Sequence, residues 1–484
     1  MPVVDIDPDE LRELTGHEEK SDDELKDDLF NLGLEFEGET DDGELQLEFA
    51  PDRLDRLSVE GVARSLRYQY GDETGVYVPN TNDPDWTYEV AESVPEGRPY
   101  VTGAIVRDVN MTEDVLESLI QLQEKLHATM GRKRAKAAIG IHDLTMLKGA
   151  GLGDDGSGHS ITYRGIDPDG DRFVPLDADS EMTPADVLAD HPIGDKFGHL
   201  LDGFDRYPAI YDDLGLFSFP PVINGRRTEV EAESRDLLIE LTGTDQWTID
   251  HICNIICYAL SARGGTIEEV EIDYPTATGP YKAVGGGLVR PDFGIDTKHV
   301  AHDRIETILG VDFEQREVAD LFARAGLSAS VVDDAADLDA VTDDEGVVYA
   351  VEIPPYRVDV LHPMDLIDDL GRAYGFNELE PRYPDIGTVG GRHDRTQLED
   401  AARASLVGLG FEDLLNFHMI SAEANYDRLN IEPGTDVVGA GEAVEITGPY
   451  SEDYTQLRTW VLPSLLMVLE NNTHRAYPQD LAEI

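Results

Sequence analysis

VEIPPYRVDVLHPMDLIDDLGRAYGFNELEP, residues 351–381, joins a strand-like half to a helical half and is the most informative stretch of the chain. The apolar residues of the second half recur at the spacing of one helical face: Leu366, Ile367, Leu370, Ala373 and Tyr374. Gly375 follows this pattern directly, as glycine does where a helix stops. We therefore predict a strand followed by a helix that ends at Gly375.

Four aspartates of this stretch are placed to converge: Asp359, Asp365, Asp368 and Asp369. The last three lie at i, i+3 and i+4, so they share a helix face, and the first approaches from the preceding strand. Carboxylate oxygens in this arrangement predict a site for a hard cation such as Mg²⁺. The alternative is a solvated acidic surface, or a cluster neutralised by Arg357 or Arg372.

The charge of the whole chain predicts a salt-rich cytoplasm. Its 484 residues carry 38 basic and 100 acidic side chains, a formal net charge of -62. Such self-repulsion destabilises a compact state unless salt screens it, and at about 1 M salt the Debye length falls to roughly 3 Å. Intrinsic disorder is the rival interpretation, but 40% apolar residues favour buried cores.

Cysteines and hydropathy indicate a soluble, intracellular protein. Cys253 and Cys257 are the two cysteines, too few for a disulfide framework. Their spacing puts both on one helix face near His251, which leaves a metal pair open, although buried free cysteine is commoner. No stretch approaches the roughly 20 apolar residues of a membrane span, and the first residues do not resemble a signal peptide.

Length and pattern predict four domains, over residues 1–88, 89–275, 276–382 and 383–484. In the first, an apolar stripe from Val59 to Tyr70 predicts a helix that Asp55 or Ser58 caps and Gly71 ends. Residues 80–88 are rich in turn formers and predict a boundary. In the second domain strands and helices alternate, with one helix over residues 115–134 and another that begins at Thr183.

The third and fourth segments have different patterns. Two short amphipathic helices, separated by a stop at Gly310 and a start at Asp312, precede strands and predict a small winged-helix-like domain. The second of these helices is acidic, so we expect no DNA binding. A new α/β region begins near residue 395, and because "YPQDLAEI" reads as the start of a strand we expect that the sequence is truncated there.

Six ordered blocks resemble one protein family: "PDRLDRLSVEGVARSL", "GRKRAKAAIGIHDL", "FPPVINGRRTEV", "LTGTD", "IPPYRVDVLHPMDLIDDLGRAYGFN" and "LRTWVLPSLLMVL". Together they are similar to the β subunit of phenylalanyl-tRNA synthetase, of the archaeal and eukaryotic type. With the charge, this predicts a haloarchaeal source.

The resemblance implies an α2β2 heterotetramer that charges tRNA(Phe) with phenylalanine, with ATP used by the α subunit. It implies a multidomain α/β and α+β fold, made of an editing domain over 89–275, a winged-helix-like domain over 276–382 and a catalytically silent class II antiparallel core over 383–484. It also implies a Mg²⁺ ion, shared with the α subunit, at Asp359, Asp365, Asp368 and Asp369.

The resemblance further implies that the second domain hydrolyses tyrosine wrongly attached to tRNA(Phe). An apolar pocket rejects an added hydroxyl only about a hundredfold, so a second site that binds this hydroxyl is physically reasonable. The candidate residues are Ser218, Asn224, Glu240 and Thr242. The last two share one face of a strand, but the family's archaeal pattern prefers Asp where Glu240 stands. The alternatives are turn residues, a helix cap and a solvated glutamate.

"GRKRAK", residues 131–136, concentrates positive charge in an acidic chain through Arg132, Lys133, Arg134 and Lys136. RNA phosphates require such a local patch, so these residues are candidate tRNA(Phe) contacts near the editing pocket. The alternative is stabilisation of a helix C-terminus.

The sequence leaves two rival functions open. The chain can be a scaffold that binds the α subunit and tRNA without editing. Glu240 stands where the family's archaeal pattern prefers Asp, and this difference allows an inactive editing pocket. It can also be an unrelated metal-dependent hydrolase that uses the four aspartates.

Overall fold

The structure is a computed structural model that describes residues 2–49, 52–151, 158–275, 281–282, 285–332, 346–381, 383 and 390–484. The chain forms two compact units, Met1–Glu380 and Pro381–Ile484. The predicted boundaries at 275/276 and 382/383 touch residues outside the described ranges.

Helices and strands alternate through the described part of the chain. The helices are α1 Pro8–Thr15, α2 Asp22–Asn31, α3 Val59–Tyr70, α4 Glu113–Ala128, α5 Pro184–Asp190, α6 Pro192–Phe197, α7 Gln246–Ala262, α8 His302–Leu309, α9 Gln315–Arg324, α10 Pro363–Tyr374, α11 Asp394–Gly408, α12 Ala422–Asn425 and α13 Leu462–Asn471. The strands are β1 Val3–Ile6, β2 Glu35–Glu39, β3 Leu45–Glu48, β4 Thr81–Val90, β5 Tyr100–Arg107, β6 Ala137–Asp143, β7 Ala150–Gly151, β8 His159–Ile166, β9 Tyr207–Asp212, β10 Gly215–Phe219, β11 Ile223–Asn224, β12 Leu237–Gly243, β13 Thr266–Asp273, β14 Gly287–Arg290, β15 Asp296–Ala301, β16 Ser328–Val331, β17 Val348–Ile353, β18 Glu412–Asp413, β19 Met419–Ile420, β20 Gln456–Leu457 and β21 Leu481–Ala482.

The N-terminal segment packs its three helices against a small antiparallel sheet of order β1-β3-β2. Helix α3 begins after the side chain of Ser58 accepts a hydrogen bond from the Gly61 amide, and it ends where Gly71 turns left-handed with φ 82°. Both ends of this helix were predicted from the sequence, and both are confirmed.

The boundary predicted over residues 80–88 falls within a strand, because β4 occupies Thr81–Val90. This strand pairs in parallel with β13 on one side and with β8 on the other. Trp86, Tyr88 and Val90 alternate inward along it and are buried. Pairing on both sides and aromatic burial outweigh the turn-forming tendency of "NTNDPD".

A large mixed sheet, which we call the sheet domain, fills residues 81–290 and has the order β11-β10-β9-β8-β4-β13-β5-β12-β6, with β14 and β7 attached at its side. Helices α4 and α7 share a core with one face of its central strands. The opposite face carries alternate residues of β12, starting with buried Leu238. Along β12 this second face continues with Glu240 and Thr242, because side chains two apart share a face.

Residues 296–374, which lie in the domain predicted to be winged-helix-like and which we call the winged-helix-like segment, contain the antiparallel sheet β15-β17-β16 and helices α8, α9 and α10 around one core. Gly310 ends α8 with φ 70°, as predicted. Helix α9 starts two residues later than predicted, with Glu314 rather than Asp312 as its cap, because Glu314 and Glu317 form a reciprocal capping box.

The unit Pro381–Ile484 carries helices α11 to α13 and two short strand pairs. Strands β18 and β21 pair in parallel, and β19 and β20 pair antiparallel. Residues Leu481–Ala482 are therefore a strand, as their pattern suggests. The implied class II antiparallel core remains a prediction, since each pairing spans two residues.

Among the described residues, every helix is too short or too polar to cross a bilayer.

We expect Gly61→Ala to destabilise the N-terminal segment. A Cβ at position 61 would lie 1.7 Å from the backbone oxygen of Asp55, so the turn before α3 would have to move. Overpacking of this kind costs about 1–3 kcal/mol or more. Chemical unfolding in molar KCl would measure the loss. Gly38→Ala, whose Cβ meets only a side-chain oxygen at 3.5 Å, is the matched control. Equal unfolding midpoints for the two variants would contradict the packing described.

Candidate functional site

Glu240 is a buried carboxylate of the sheet domain. It lies on β12 between β5 and β6, with 1% of its surface exposed. Its direct neighbours across the two ladders are Gly103 on β5 and Gly140 on β6. Neither neighbour has a side chain, so the strand pairing leaves space around this carboxylate.

The two glycines make room for different groups. A Cβ at Gly140 would lie 2.3 Å from Oε1 of Glu240 and 2.9 Å from Nε2 of His142. A Cβ at Gly103 would lie 2.8 Å from the hydroxyl of Tyr88, which crosses β5 to donate to the Ile239 carbonyl at 3.3 Å. Position 140 therefore needs glycine for Glu240 to approach β6.

Three of the four predicted editing residues meet at Glu240. Strands β10 and β11 form a tight hairpin in which Ser218 and Asn224 are register partners. The Ser218 hydroxyl donates to Oε1 of Glu240 at 2.7 Å and lies 3.2 Å from Oδ1 of Asn224. A serine has one proton, and the carboxylate at 2.7 Å is the stronger acceptor. Glu240 is thus not solvated, while Ser218 and Asn224 lie on the two strands that flank a turn.

Thr242, the fourth predicted residue, shares the face but has another partner. It is fully buried, and its hydroxyl oxygen accepts from Nε of Arg98 at 3.1 Å. Burial lowers the pKa of Arg98 to about 10, so the guanidinium keeps its charge at neutral pH. Thr242 therefore anchors Arg98 and is not a helix cap, since Asp245 caps α7.

A cavity of about 400 Å³ opens beside Glu240. Its walls come from α4, from β6 and from the loop of residues 220–224, and both Asn224 and Glu240 reach it. Ser218 and Thr242 do not line this cavity. Ser218 contacts two residues that do, Asn224 and Glu240, whereas Arg98, the partner of Thr242, does not. Its volume suits a side chain of amino-acid size better than a macromolecular surface.

His127 and Glu124, both on α4, line the cavity. The His127 ring is buried, and its Nε2 accepts from the Ile139 amide at 2.8 Å. Burial lowers the pKa of His127. The hydrogen bond from His127 and the charge of Arg134 lower the pKa of Glu124 to about 2.

The predicted cationic segment is a left-handed turn. Helix α4 ends at Ala128, not at 134, so the four cations lie past its last turn, where the dipole effect has faded. Arg132, Lys133 and Arg134 have φ values of 47°, 53° and 69°, the left-handed region that costs a residue with a side chain about 1 kcal/mol or more. Nη2 of Arg98 donates to the Arg134 carbonyl at 2.8 Å and holds this turn.

The four cations have different surroundings. Arg134 donates to the Val222 carbonyl at 2.9 Å and stacks over the Phe197 ring at 4.1 Å. Lys136 lies 3.4 Å from Asp245. Arg132 and Lys133 are exposed and, within the described residues, have no ion-pair partner. Two cations are therefore structural, and two are open to a ligand.

The four predicted metal-binding aspartates line one cavity of about 120 Å³. Arg357 is buried and donates to both oxygens of Asp359, at 2.8 and 2.6 Å, and to Asp369 at 2.6 Å. Oδ2 of Asp365 accepts from the amides of Leu361 and His362 as a helix cap. These three aspartates therefore all have protein partners.

Asp368 is half-exposed and pairs with Arg372 at 2.8 Å. Its Oδ1 and the Oδ1 of Asp365 accept no hydrogen bond from the residues that the structure describes. The ligating oxygens of the four aspartates do not gather within 4.8 Å of one another in the described part of the chain, as those of Glu35, Glu37 and Glu48 do. The cluster is thus partly neutralised by arginine, the alternative foreseen from the sequence.

The N-terminal segment completes the aspartate cluster. Arg53 forms two hydrogen bonds to Asp55, at 2.8 and 2.9 Å, and lies 3.9 Å from Asp369. Arg64 also donates to Asp55, at 3.2 Å. Desolvation lowers the pKa of buried Arg56 to about 9. The block "PDRLDRLSVEGVARSL" therefore packs its arginines against the block of residues 351–381.

Sequence reasoning missed His142, Thr228, Arg98 and Gly140. A period-2 signal was present, because Ala138, Gly140 and His142 share one face of β6 and a histidine there is polar among small residues. Arg98 lies in a loop and belongs to no periodic pattern. Cys253 and Cys257 are both fully buried in the core under the sheet and take no part in a site.

Known proteins match this chain along its length. Residues 298–376 match the tRNA synthetase B5 domain, and residues 379–484 match the phenylalanyl tRNA synthetase beta chain CLM domain. The phenylalanine–tRNA ligase β subunits of Halorubrum lacusprofundi and Archaeoglobus fulgidus are 69% and 34% identical. Both alignments cover 100% of this chain, and they cover 82% and 81% of those proteins.

A crystal structure agrees with these sequence matches. An N-terminal fragment of the phenylalanyl-tRNA synthetase β subunit from Pyrococcus horikoshii superimposes with a TM-score of 0.68 at 27% identity, covering 77% of this chain and 99% of that one. From these matches and the geometry above, the chain belongs to the family of phenylalanine–tRNA ligase β subunits.

Proposed function

We propose that the chain is the β subunit of an α2β2 phenylalanine–tRNA ligase and that its sheet domain hydrolyses Tyr-tRNA(Phe). The α subunit would carry the ATP-dependent charging of tRNA(Phe). The family assignment supports the complex. The cavity beside buried Glu240 supports the hydrolytic role.

Hydrolysis of an aminoacyl ester needs an oriented water and a few polar groups. Water adds to the ester carbonyl carbon, the bond to the ribose oxygen breaks, and the proton of the water ends on that oxygen. Glu240 can accept an O–H, because its Oε2 is buried and has no protein partner among the described residues. Ser218 fixes its other oxygen, and Asn224 lies at the cavity wall.

A scaffold without editing is the second candidate. The observation that favours it is the tight pairing of Glu240 with Ser218, which a purely structural carboxylate would also show. The independent metal-dependent hydrolase is less favoured, since arginines pair with three of the four aspartates that it would use.

The aspartate cavity fits Mg²⁺ in the class of its donors, which are carboxylate oxygens. We place the ion on Asp365 and Asp368, each of which keeps one oxygen without a hydrogen bond from the described residues, while Asp359 and Asp369 are held by Arg357. A Mg²⁺ ion bound by one or two carboxylates retains several waters. When bound, it would supply positive charge at a surface shared with the α subunit.

Editing predicts that Glu240→Gln in the α/β complex lowers the rate of Tyr-tRNA(Phe) hydrolysis by about a hundredfold or more, as loss of a positioned acid–base group does. Ser218→Ala should lower it less, because Glu240 remains. Release of labelled tyrosine in molar KCl measures both rates. Exposed Glu233→Gln is the control in the same domain. A wild-type rate for Glu240→Gln would favour the scaffold.

For the metal site, Asp368→Asn should weaken Mg²⁺ binding by the complex and leave its stability nearly unchanged, since Asp368 is half-exposed. Asp369→Asn should instead cost about 3–5 kcal/mol, because it removes a partner of buried Arg357. Calorimetric titration and chemical unfolding separate the two effects. If Asp368→Asn binds Mg²⁺ with the affinity of the wild type, the assignment of the ion to Asp368 is wrong.

If Arg132 and Lys133 contact tRNA(Phe), replacing both with Glu should weaken tRNA(Phe) binding. The slope of log affinity against log salt should become shallower by roughly 0.7–0.9 for each phosphate that the variant no longer binds. Filter binding across a KCl series measures this. The double reversal of exposed Arg304 and Arg316, with the same change of charge in the winged-helix-like segment, should bind as wild type. Identical slopes for the two double variants would leave the turn a structural feature only.

A further inference from the structure

His142 faces Glu240 from the neighbouring strand and is not used by the mechanism above. Its ring is fully buried on β6, edge-on to Phe217 with ring centroids 4.9 Å apart. Nδ1 lies 2.7 Å from the Thr228 hydroxyl. Nε2 lies 3.7 Å from Oε1 of Glu240 and has no hydrogen-bond partner among the described residues. The ring is thus fixed at one nitrogen and open at the other.

The Thr228 hydroxyl leaves the second nitrogen free to carry a proton. The single proton of this hydroxyl has two acceptors, Nδ1 at 2.7 Å and the Gly225 carbonyl at 3.3 Å, and the shorter contact favours donation to Nδ1. A bare Nε2 would place two acceptors opposite each other in a buried site, which costs free energy. An Nε2–H directed at Oε1 removes that repulsion. The hydrogen-bond network therefore assigns a proton to Nε2.

Glu240 then has one occupied and one open oxygen. Oε1 accepts from Ser218 at 2.7 Å and faces His142, while Oε2 is buried without a partner in the described structure. The other charged or titratable groups near this carboxylate are Arg98, Tyr88 and Tyr163. Arg98 donates to Thr242 and to backbone carbonyls, and the Tyr88 and Tyr163 hydroxyls donate to carbonyls. These three groups therefore direct their protons away from Oε2.

We propose that His142 is a positioning residue for Glu240, whose Nε2–H and the Ser218 hydroxyl together hold Oε1 so that Oε2 receives an O–H of the ligand in the cavity. That O–H belongs either to the tyrosine side chain or to the hydrolytic water. The assignment of the ligand rests on the proposed function, whereas the pairing of His142 with Glu240 does not.

Two substitutions test the roles of the two ring nitrogens of His142 separately. Asn in place of His142 can keep the hydrogen bond to Thr228 but has no atom at the Nε2 position. Gln reaches that position with an N–H. Tyr-tRNA(Phe) hydrolysis by the α/β complex should fall about tenfold in His142→Asn, as for loss of other residues that orient a functional group, and stay near wild type in His142→Gln. A merely structural histidine would not show this order.

Comparing hydrolysis of Tyr-tRNA(Phe) and Phe-tRNA(Phe) shows which group supplies the O–H that Oε2 receives. If it is the tyrosine hydroxyl, His142→Asn raises KM for Tyr-tRNA(Phe) and leaves hydrolysis of Phe-tRNA(Phe) unchanged. If it is water, kcat falls for both substrates. His302, which lies 3.2 Å from Glu306 in the winged-helix-like segment, provides the matched control, since His302→Asn and His302→Gln should change neither rate.

A double-mutant cycle tests the pair without any activity. The unfolding midpoint of His142→Asn/Glu240→Gln should lie closer to wild type than the sum of the two single shifts, because residues in contact are not additive. Additive midpoints, or equal hydrolysis by the Asn and Gln variants, would overturn the proposal. If the wild-type complex does not hydrolyse Tyr-tRNA(Phe), the proposed function fails, and the cycle alone then decides the pairing.

Discussion

The site depends on keeping a carboxylate on a buried strand of the sheet domain. An isolated charge there is costly, and a side chain at position 140 would exclude the carboxylate. Gly140 leaves the space for the carboxylate, and Gly103 leaves the space for the ring of Tyr88 beside it. Ser218 then satisfies one oxygen. Without Gly140 the cavity would lose the Glu240 carboxylate from its wall.

A second buried polar network joins two of the sequence blocks that resemble the family. Arg357 connects Asp359 and Asp369, while Arg53 lies between Asp55 and Asp369. In concentrated salt the exposed carboxylates are screened, but buried pairs are screened much less. A chain with 38 basic residues thus places several of them where salt weakens their interactions least. Removing one member leaves its partner buried and unpaired, so the network fixes the geometry of the aspartate cavity.

Local signals in the sequence were good guides to helix ends. Ser58, Thr183 and Gly310 lie at the ends predicted for them because capping depends on the residue itself and its nearest neighbours. The strand at 81–90 was missed because its partners, β8 and β13, come much later in the chain. His142 was missed for the same reason, because its role depends on Glu240, which lies far along the chain on the adjacent strand. Periodicity did place Glu240 and Thr242 on one face, but it did not show that the Thr242 hydroxyl accepts a hydrogen bond from Arg98.

The cavity beside Glu240 should bind the mischarged end of the tRNA. A crystal structure of the α/β complex with a non-hydrolysable 3′-tyrosyl-adenosine analogue would show whether it does. The tyrosyl group should occupy the cavity of about 400 Å³, with an O–H of the ligand or of an ordered water about 2.5–3.0 Å from Glu240. An analogue bound only elsewhere, with this cavity empty at saturating concentration, would be incompatible with an editing site at Glu240.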